Sequence, residues 1–218
     1  MLFLSILFCR FFHIYSKILN FYKTEKRLCN YVSVEKLSNF KKKTTITSAT
    51  TYKIINSILN DKYKNEVLKN YLSSSKNCQS TNAQIIKIAK SLTLSIKDTY
   101  LKSKAIFEYV RDKIAYSNYN NTKKGALKTL TQKSGNCVDK THLLIAISRA
   151  AGIPARYVHG TNCKFTSGHV YGHVWAQLLI GNTWVVADTT SYKNSLGVVK
   201  NWNTNNYYLI GKSSSLSF

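Results

Sequence analysis

The sequence predicts an α+β fold, with helices in the first part of the chain and an antiparallel sheet after them. Three observations carry this. Apolar residues recur at helical spacing as far as Ala150. Gly152 and Pro154 then punctuate the chain. Beyond Pro154 the runs become aromatic and β-branched, as strands require. Helices grouped ahead of strands argue against a doubly wound parallel sheet, in which the two would alternate.

The elements follow in order. Residues 1–40 read as an apolar, peripheral N-terminal segment, 41–75 as a helical lead-in, and 76–218 as the functional domain. A helical pattern starts near Thr45 and continues through Tyr52, Ile55, Ile58 and Leu59. After a break near Asn60-Asp61 it resumes through Val67, Leu68, Tyr71 and Leu72. Residues 73–82 form a loop. Ile85, Ile86, Ala89 and Leu92 mark a short helix, and Ile106, Phe107, Val110 and Ile114 an amphipathic one over 103–115. A polar, turn-like stretch covers 116–125, with a short helix over 126–130. Ser134-Gly135-Asn136 is a break, and Cys137 opens a helix that buries Leu143, Leu144, Ile147 and Ala150. Strands are expected at 155–159, 171–180, 184–188 and 206–210. Gly181-Asn182 forms a two-residue hairpin turn with glycine first.

Composition narrows the function. The 218 residues suffice for one domain with a sizeable core, and 44% hydrophobic content excludes a disordered chain. The formal charge of +23 favours polyanionic partners. The lysines are nonetheless scattered, with Lys41-Lys42-Lys43 the longest basic run, and no nucleic-acid partner is expected. The five cysteines include no C-x-x-C pair, so no zinc knuckle is signalled. No acidic cluster suggests a metal, and no cofactor is expected. The apolar stretch from Met1 to Phe8 falls short of the ~20 residues that a membrane span needs. A degenerate export signal, a membrane-surface helix that would give membrane contact, and a misassigned start all fit it. The sequence assigns no location.

Cys137 carries the chemistry. A break before it places the sulfur at a helix N-terminus, where the dipole and unpaired N–H groups favour an anion. The same N–H groups suit an oxyanion. A thiolate enzyme also needs a histidine and a group to orient it. His142 follows Cys137 by five residues and points about 140° away round the helix. His159 and His169 read as structural or exposed. If Gly181-Asn182 is the turn, Trp175 faces Asp188 and His173 faces Thr190. His173 and Asp188 then share one face, a diagonal step of ~7 Å apart, or lie directly opposite in a tighter register. On geometry alone, a structural His–Asp pair and a catalytic one are equally open. Trp175 and Trp202 are candidate substrate-binding residues, with core packing the competing role for Trp175. Tyr116 and Tyr119 could border a groove or simply pack on the surface, and Asp139 suits the first helical turn electrostatically.

The stretches SGNCVD (134–139), YGHVWAQ (171–177) and WVVADT (184–189) resemble, in order, the Cys, His and Asp motifs of the transglutaminase-like superfamily. AGIPARYVHG resembles the strand that follows its catalytic helix. From about Asn77 onward, KNCQ (76–79), GNCVDKTHLL (135–144) and SLGVVKNWNTNNY (195–207) resemble the pseudomurein endoisopeptidases of methanogens and their viruses. The resemblance implies a transglutaminase-like, papain-like cysteine protease fold. It also implies Cys137 as nucleophile, His173 as general base and acid, and Asp188 as orienter. The implied substrate is an amide-containing polymer, the ε-(Ala)-Lys isopeptide bond of cell-wall peptide, and the implied place of action is the wall. An amine-cross-linking transferase and a non-catalytic wall-binding protein are the alternatives. No wall-binding repeat is visible in 1–75.

Overall fold

In the computed structural model, which describes residue 66 and residues 68–218, helices lead and strands follow. These residues belong to a unit spanning Lys64–Phe218. The peripheral segment 1–40, the helical pattern from Thr45 and most of the 41–75 lead-in lie outside the described residues.

Each early helix starts where a side chain satisfies its first N–H groups. Helix α1 (Ala83–Thr93) begins after Asn82, whose side chain accepts from Gln84 N. Helix α2 (Thr99–Lys113) begins after Asp98, which accepts from Leu101 N at 2.8 Å. That cap explains why α2 starts four residues ahead of its expected bound at 103. Helix α3 (Gly125–Gln132) is anchored by the KNCQ stretch. Asn77 O accepts from Ala126 N and the Gln79 side chain from Leu127 N. Gly125 has φ of +64°, and a Cβ there would lie 3.1 Å from Asn77 O, so glycine is required at this junction.

Two short strands were not expected. β1 (Ala115–Tyr116) pairs in parallel with β2 (Ser134–Gly135). Only two residues pair on each side, too few for an alternating pattern to show. The ladder holds Tyr116 beside the start of helix α4 (Cys137–Ala150). Every residue of α4 from Val138 to Arg149 is buried. The expected one-sided apolar face is therefore incomplete: α1, α2 and α3 pack on α4 from one side and the sheet from the other. Its buried Arg149 stays solvated by protein, donating to Ala155 O at 2.8 Å and to Ser214 O at 2.6 Å. His142 is also sealed in, 2.8 Å from the Tyr157 hydroxyl.

The main sheet has strand order β5-β4-β3-β6, antiparallel throughout. Its strands are β3 (Ala155–Lys164), β4 (Val170–Ile180), β5 (Thr183–Ala187) and β6 (Tyr208–Ser213). Ile180 faces Thr183 across the Gly181-Asn182 turn, with Gly181 at φ of +61°. The ladder runs on to Ala176 opposite Ala187, which sets Asp188 one diagonal step from His173. The core between α4 and the sheet includes Ile106, Phe107, Leu143, Leu144, Ile147, Tyr157 and Leu178. Among the described residues, no helix is long and apolar enough to cross a membrane.

Leu144 is fully buried at the centre of this core. Leu144→Ala should lower the unfolding free energy by about 2–5 kcal/mol, read from urea denaturation curves.

Candidate active site

Cys137 occupies the first position of α4, half-buried and with a free thiol. Asn136 caps the helix, its Oδ1 accepting from Asp139 N at 2.9 Å. Its Nδ2 donates to Tyr119 O at 2.9 Å and to Asn121 O at 2.7 Å. One side chain thus fixes both the turn that presents the sulfur and the loop beside it. The Tyr116 hydroxyl lies at the backbone N–H of Cys137. Burial, with the nearby Cys137 and Asp188, pushes the Tyr116 phenol up to about 12, so it stays a hydroxyl.

His173 and Asp188 meet as the hairpin geometry allows. His173 Nε2 donates to Asp188 Oδ2 at 2.9 Å, with both side chains buried. Nδ1 remains for the thiol, and the ring also interacts with Cys137. Burial alone would depress the imidazole. The Asp188 charge and hydrogen bond, joined by Cys137, outweigh it and raise His173 to about 10. Burial likewise opposes ionisation of Asp188, yet His173 and the Thr190 donors bring its carboxyl down to about 2. The Asp188 carboxylate is fully engaged. Oδ1 accepts from Thr190 N at 2.9 Å and Thr190 Oγ1 at 2.6 Å, and Oδ2 accepts a second bond from Trp202 Nε1 at 2.8 Å. Lys140, buried behind the site, donates to Ile114 O at the end of α2. Burial lowers its ammonium to about 8 against the opposing pull of Asp188 and Asp112.

The two tryptophans expected to bind substrate both pack on His173. Trp175 and Trp202 are each 3% exposed and neither lines the cleft. Trp175 stacks on His173 with centroids 5.7 Å apart, and Trp202 meets the ring edge-on at 5.5 Å. Phe165 closes a third side at 5.2 Å. Their bulk excludes water from the His–Asp pair. Gly160 makes room for this box: a Cβ there would stand 2.8 Å from Tyr207 and 3.1 Å from Trp175.

In front of Cys137 and His173 lies an open cleft of about 860 Å³. One wall is the loop 116–121, and the other comes from the β3–β4 connection around Phe165 to Tyr171. Asp139 holds the first wall. Its buried carboxylate accepts from Tyr119 Oη and Thr122 Oγ1, both at 2.5 Å, and from Gly125 N at 2.8 Å. Burial opposes its charge, but these bonds win and hold its pKa below the ordinary value. Asp139 therefore does more than complement a helix dipole.

Residues 86–189 match the transglutaminase-like superfamily. This region has the transglutaminase-like fold. The chain is similar to a provisionally named cysteine protease from Cytophaga hutchinsonii, at 29% identity and a TM-score of 0.54, over 66% of this chain and 46% of that one. It thus spans less than half of that relative's length. Weaker similarities, with TM-scores of 0.43 and 0.39, join it to the periplasmic domain of TgpA from Pseudomonas aeruginosa (20% identity, 55% of this chain, 45% of that one) and to Legionella pneumophila LapG (14% identity, 58% and 86%). No curated protein matches the chain by sequence.

The site draws on residues that the sequence did not single out. Asn118, Asn120 and Asn121 line the cleft, and so does His159, read as structural or exposed. Thr190 and Asn136 act through hydrogen bonds on the His–Asp pair and the helix start. The one available signal was their adjacency to the Cys and Asp motifs. Cys78 and Cys163 are fully buried, and burial raises both thiols, Cys163 to about 11.

The His173 shift makes its contribution to stability complete below pH 6.5 and lost as pH rises toward 10. The Asp188 shift makes its contribution complete above pH 3.8 and lost as pH falls toward 2. The Tm difference between wild type and Asp188→Asn should therefore be widest between pH 3.8 and 6.5 and narrow on either side, as calorimetry across pH would read.

Proposed function

We propose that this chain is a cysteine hydrolase of amide bonds that works through a thioester on Cys137. The observation that carries this reading is the buried His173–Asp188 pair beside a free thiol at the start of α4. In the reaction, the Cys137 thiolate attacks the amide carbonyl carbon. The carbonyl oxygen takes the negative charge and replaces the Tyr116 hydroxyl as the acceptor of Cys137 N–H, its donor. His173 gives its proton to the nitrogen, the C–N bond breaks, and the amine leaves. Water then adds to the thioester with His173 accepting its proton, and the acid departs with the thiol restored. Asp188, held by Thr190 and Trp202, keeps the imidazole ring in place throughout.

The proposed bond is an isopeptide, the ε-(Ala)-Lys cross-link of pseudomurein, and the proposed partner is cell-wall peptide. Support comes from KNCQ, GNCVDKTHLL and SLGVVKNWNTNNY, which resemble pseudomurein endoisopeptidases and have structural work in this fold. Gln79 caps α3, Asn194 donates to Asp188 O at 3.1 Å and to Asn201 at 2.7 Å, and Trp202 holds Asp188. The likeness to the Cytophaga protein favours hydrolysis over transfer.

A synthetic ε-(Ala)-Lys peptide incubated with the protein should gain water and split, read by mass spectrometry, and Cys137→Ala should leave it intact. A cross-linked product would point to transfer, and cleavage by Cys137→Ala would remove the thiol from the reaction. Trp202→Phe deletes one hydrogen bond to a charged group, so kcat/KM should fall roughly 10- to 100-fold.

A further inference from the structure

The cleft in front of Cys137 departs from the rest of the molecule in charge. Charged residues make up 19% of the chain, which carries +23. Among the described residues that line the cleft, none is Lys, Arg, Asp or Glu. The one strong charge pair there, His173 with Asp188, is closed on itself. His159 is shifted toward its neutral form by burial.

In place of charge the walls carry amides and hydroxyls. Asn118, Asn120 and Asn121 are exposed, and their side-chain amides make no hydrogen bond to any described residue. Each offers two donors and an acceptor. Thr166 and Ser167 stand on the facing wall. Tyr116 and Tyr171, 52% and 55% exposed, add aromatic faces at the rim. The asparagine wall is also built rather than loose, because Asn136 holds its backbone at Tyr119 O and Asn121 O and Asp139 holds the Tyr119 hydroxyl, both from the first turn of α4. A wall fixed before binding loses little freedom when a ligand seats against it.

We infer that the cleft selects an uncharged, hydrogen-bonding segment beside the scissile bond and rejects acidic and basic residues there. A peptide backbone matches free carboxamides donor to acceptor. A carboxylate or ammonium entering the cleft would leave water without meeting a counter-charge. The surrounding positive field draws anionic polymers to the surface, but it acts outside the cleft and is screened within about 8 Å at physiological salt. An acylated lysine side chain meets the rule, since its nitrogen has become a neutral amide. This inference rests on the thiol-hydrolase reading for its reaction, but the selectivity itself is a property of the walls.

The test uses three chloromethyl ketones, N-acetyl-Ala-Ala, N-acetyl-Asp-Ala and N-acetyl-Lys-Ala, in which Cys137 Sγ displaces chloride to form a thioether. Labelling is followed by mass spectrometry and normalised to iodoacetamide. The neutral probe should label at least about tenfold faster than either charged one. Asn120→Asp should shift the ratio toward the lysine probe. A charged probe equal to or faster than the neutral one, or ratios unchanged in Asn120→Asp, would overturn the inference. The Kd values of the matching peptide amides for Cys137→Ala should rank the same way without the thiol, and a flat ranking there would also overturn it. Failure to hydrolyse the ε-(Ala)-Lys peptide while the probe ranking holds would count against the proposed reaction and leave the selectivity standing.

Discussion

A carboxylate sealed from water must find all its partners within the protein, and Asp188 does so with four hydrogen bonds. Thr190 gives two, His173 one and Trp202 one. Those partners come from β4, from the turn after β5 and from the loop ahead of β6, so one buried charge draws three separate stretches of chain together. Leaving any donor out would strand part of a charge at 1% exposure. The loop from 190 to 202 is shaped to meet this demand. Asn194 bridges Asp188 O and Asn201, and Arg111 from α2 donates to Asn194 O at 2.9 Å. The aromatic box of Phe165, Trp175 and Trp202 then follows, since a dry, enclosed His–Asp pair needs walls that bring no competing polar group.

A second buried carboxylate organises the other half of the site. Asp139 lies two residues beyond Cys137 and collects donors from the loop that forms the cleft wall. With Asn136 acting from the helix cap, the first turn of α4 fixes the thiol, the backbone N–H beside Tyr116 and the asparagine wall as one unit. The Cys137 thiol and the asparagine wall are therefore tied to the same turn. This explains why a polar stretch, YSNYNNTKKG, stays ordered over an open cleft without an apolar anchor of its own.

Much of this was legible in the chain. The order of helices and strands followed from the change in periodicity at Pro154, and the Gly181-Asn182 turn was read from its dipeptide. That His173 and Asp188 share one face followed from that turn by counting, because side-chain alternation in a strand has a period of two, and the structure adopts the diagonal of the two registers left open. The illegible parts share a cause. Trp202 reads from sequence as a loop tryptophan that packs or binds, with no partner visible in the chain. It is buried because its indole N–H completes Asp188, a partner fourteen residues away. Asp139 reads as an ordinary first-turn acid, since its partners at Tyr119, Thr122 and Gly125 lie in a segment with no periodic signal. The β1–β2 ladder is too short for any pattern to show.

The sequence by itself determined the fold class, the helix that begins at Cys137, the hairpin that pairs His173 with Asp188, and the likeness to transglutaminase-like proteins, because each depends on local propensity, short-range register or motif order. The tertiary structure decided which aromatics enclose the histidine, which loop walls the cleft, and that no Lys, Arg, Asp or Glu of the described residues lines it. These depend on buried polar groups finding donors far along the chain, and a sequence records the groups without recording which of them must meet.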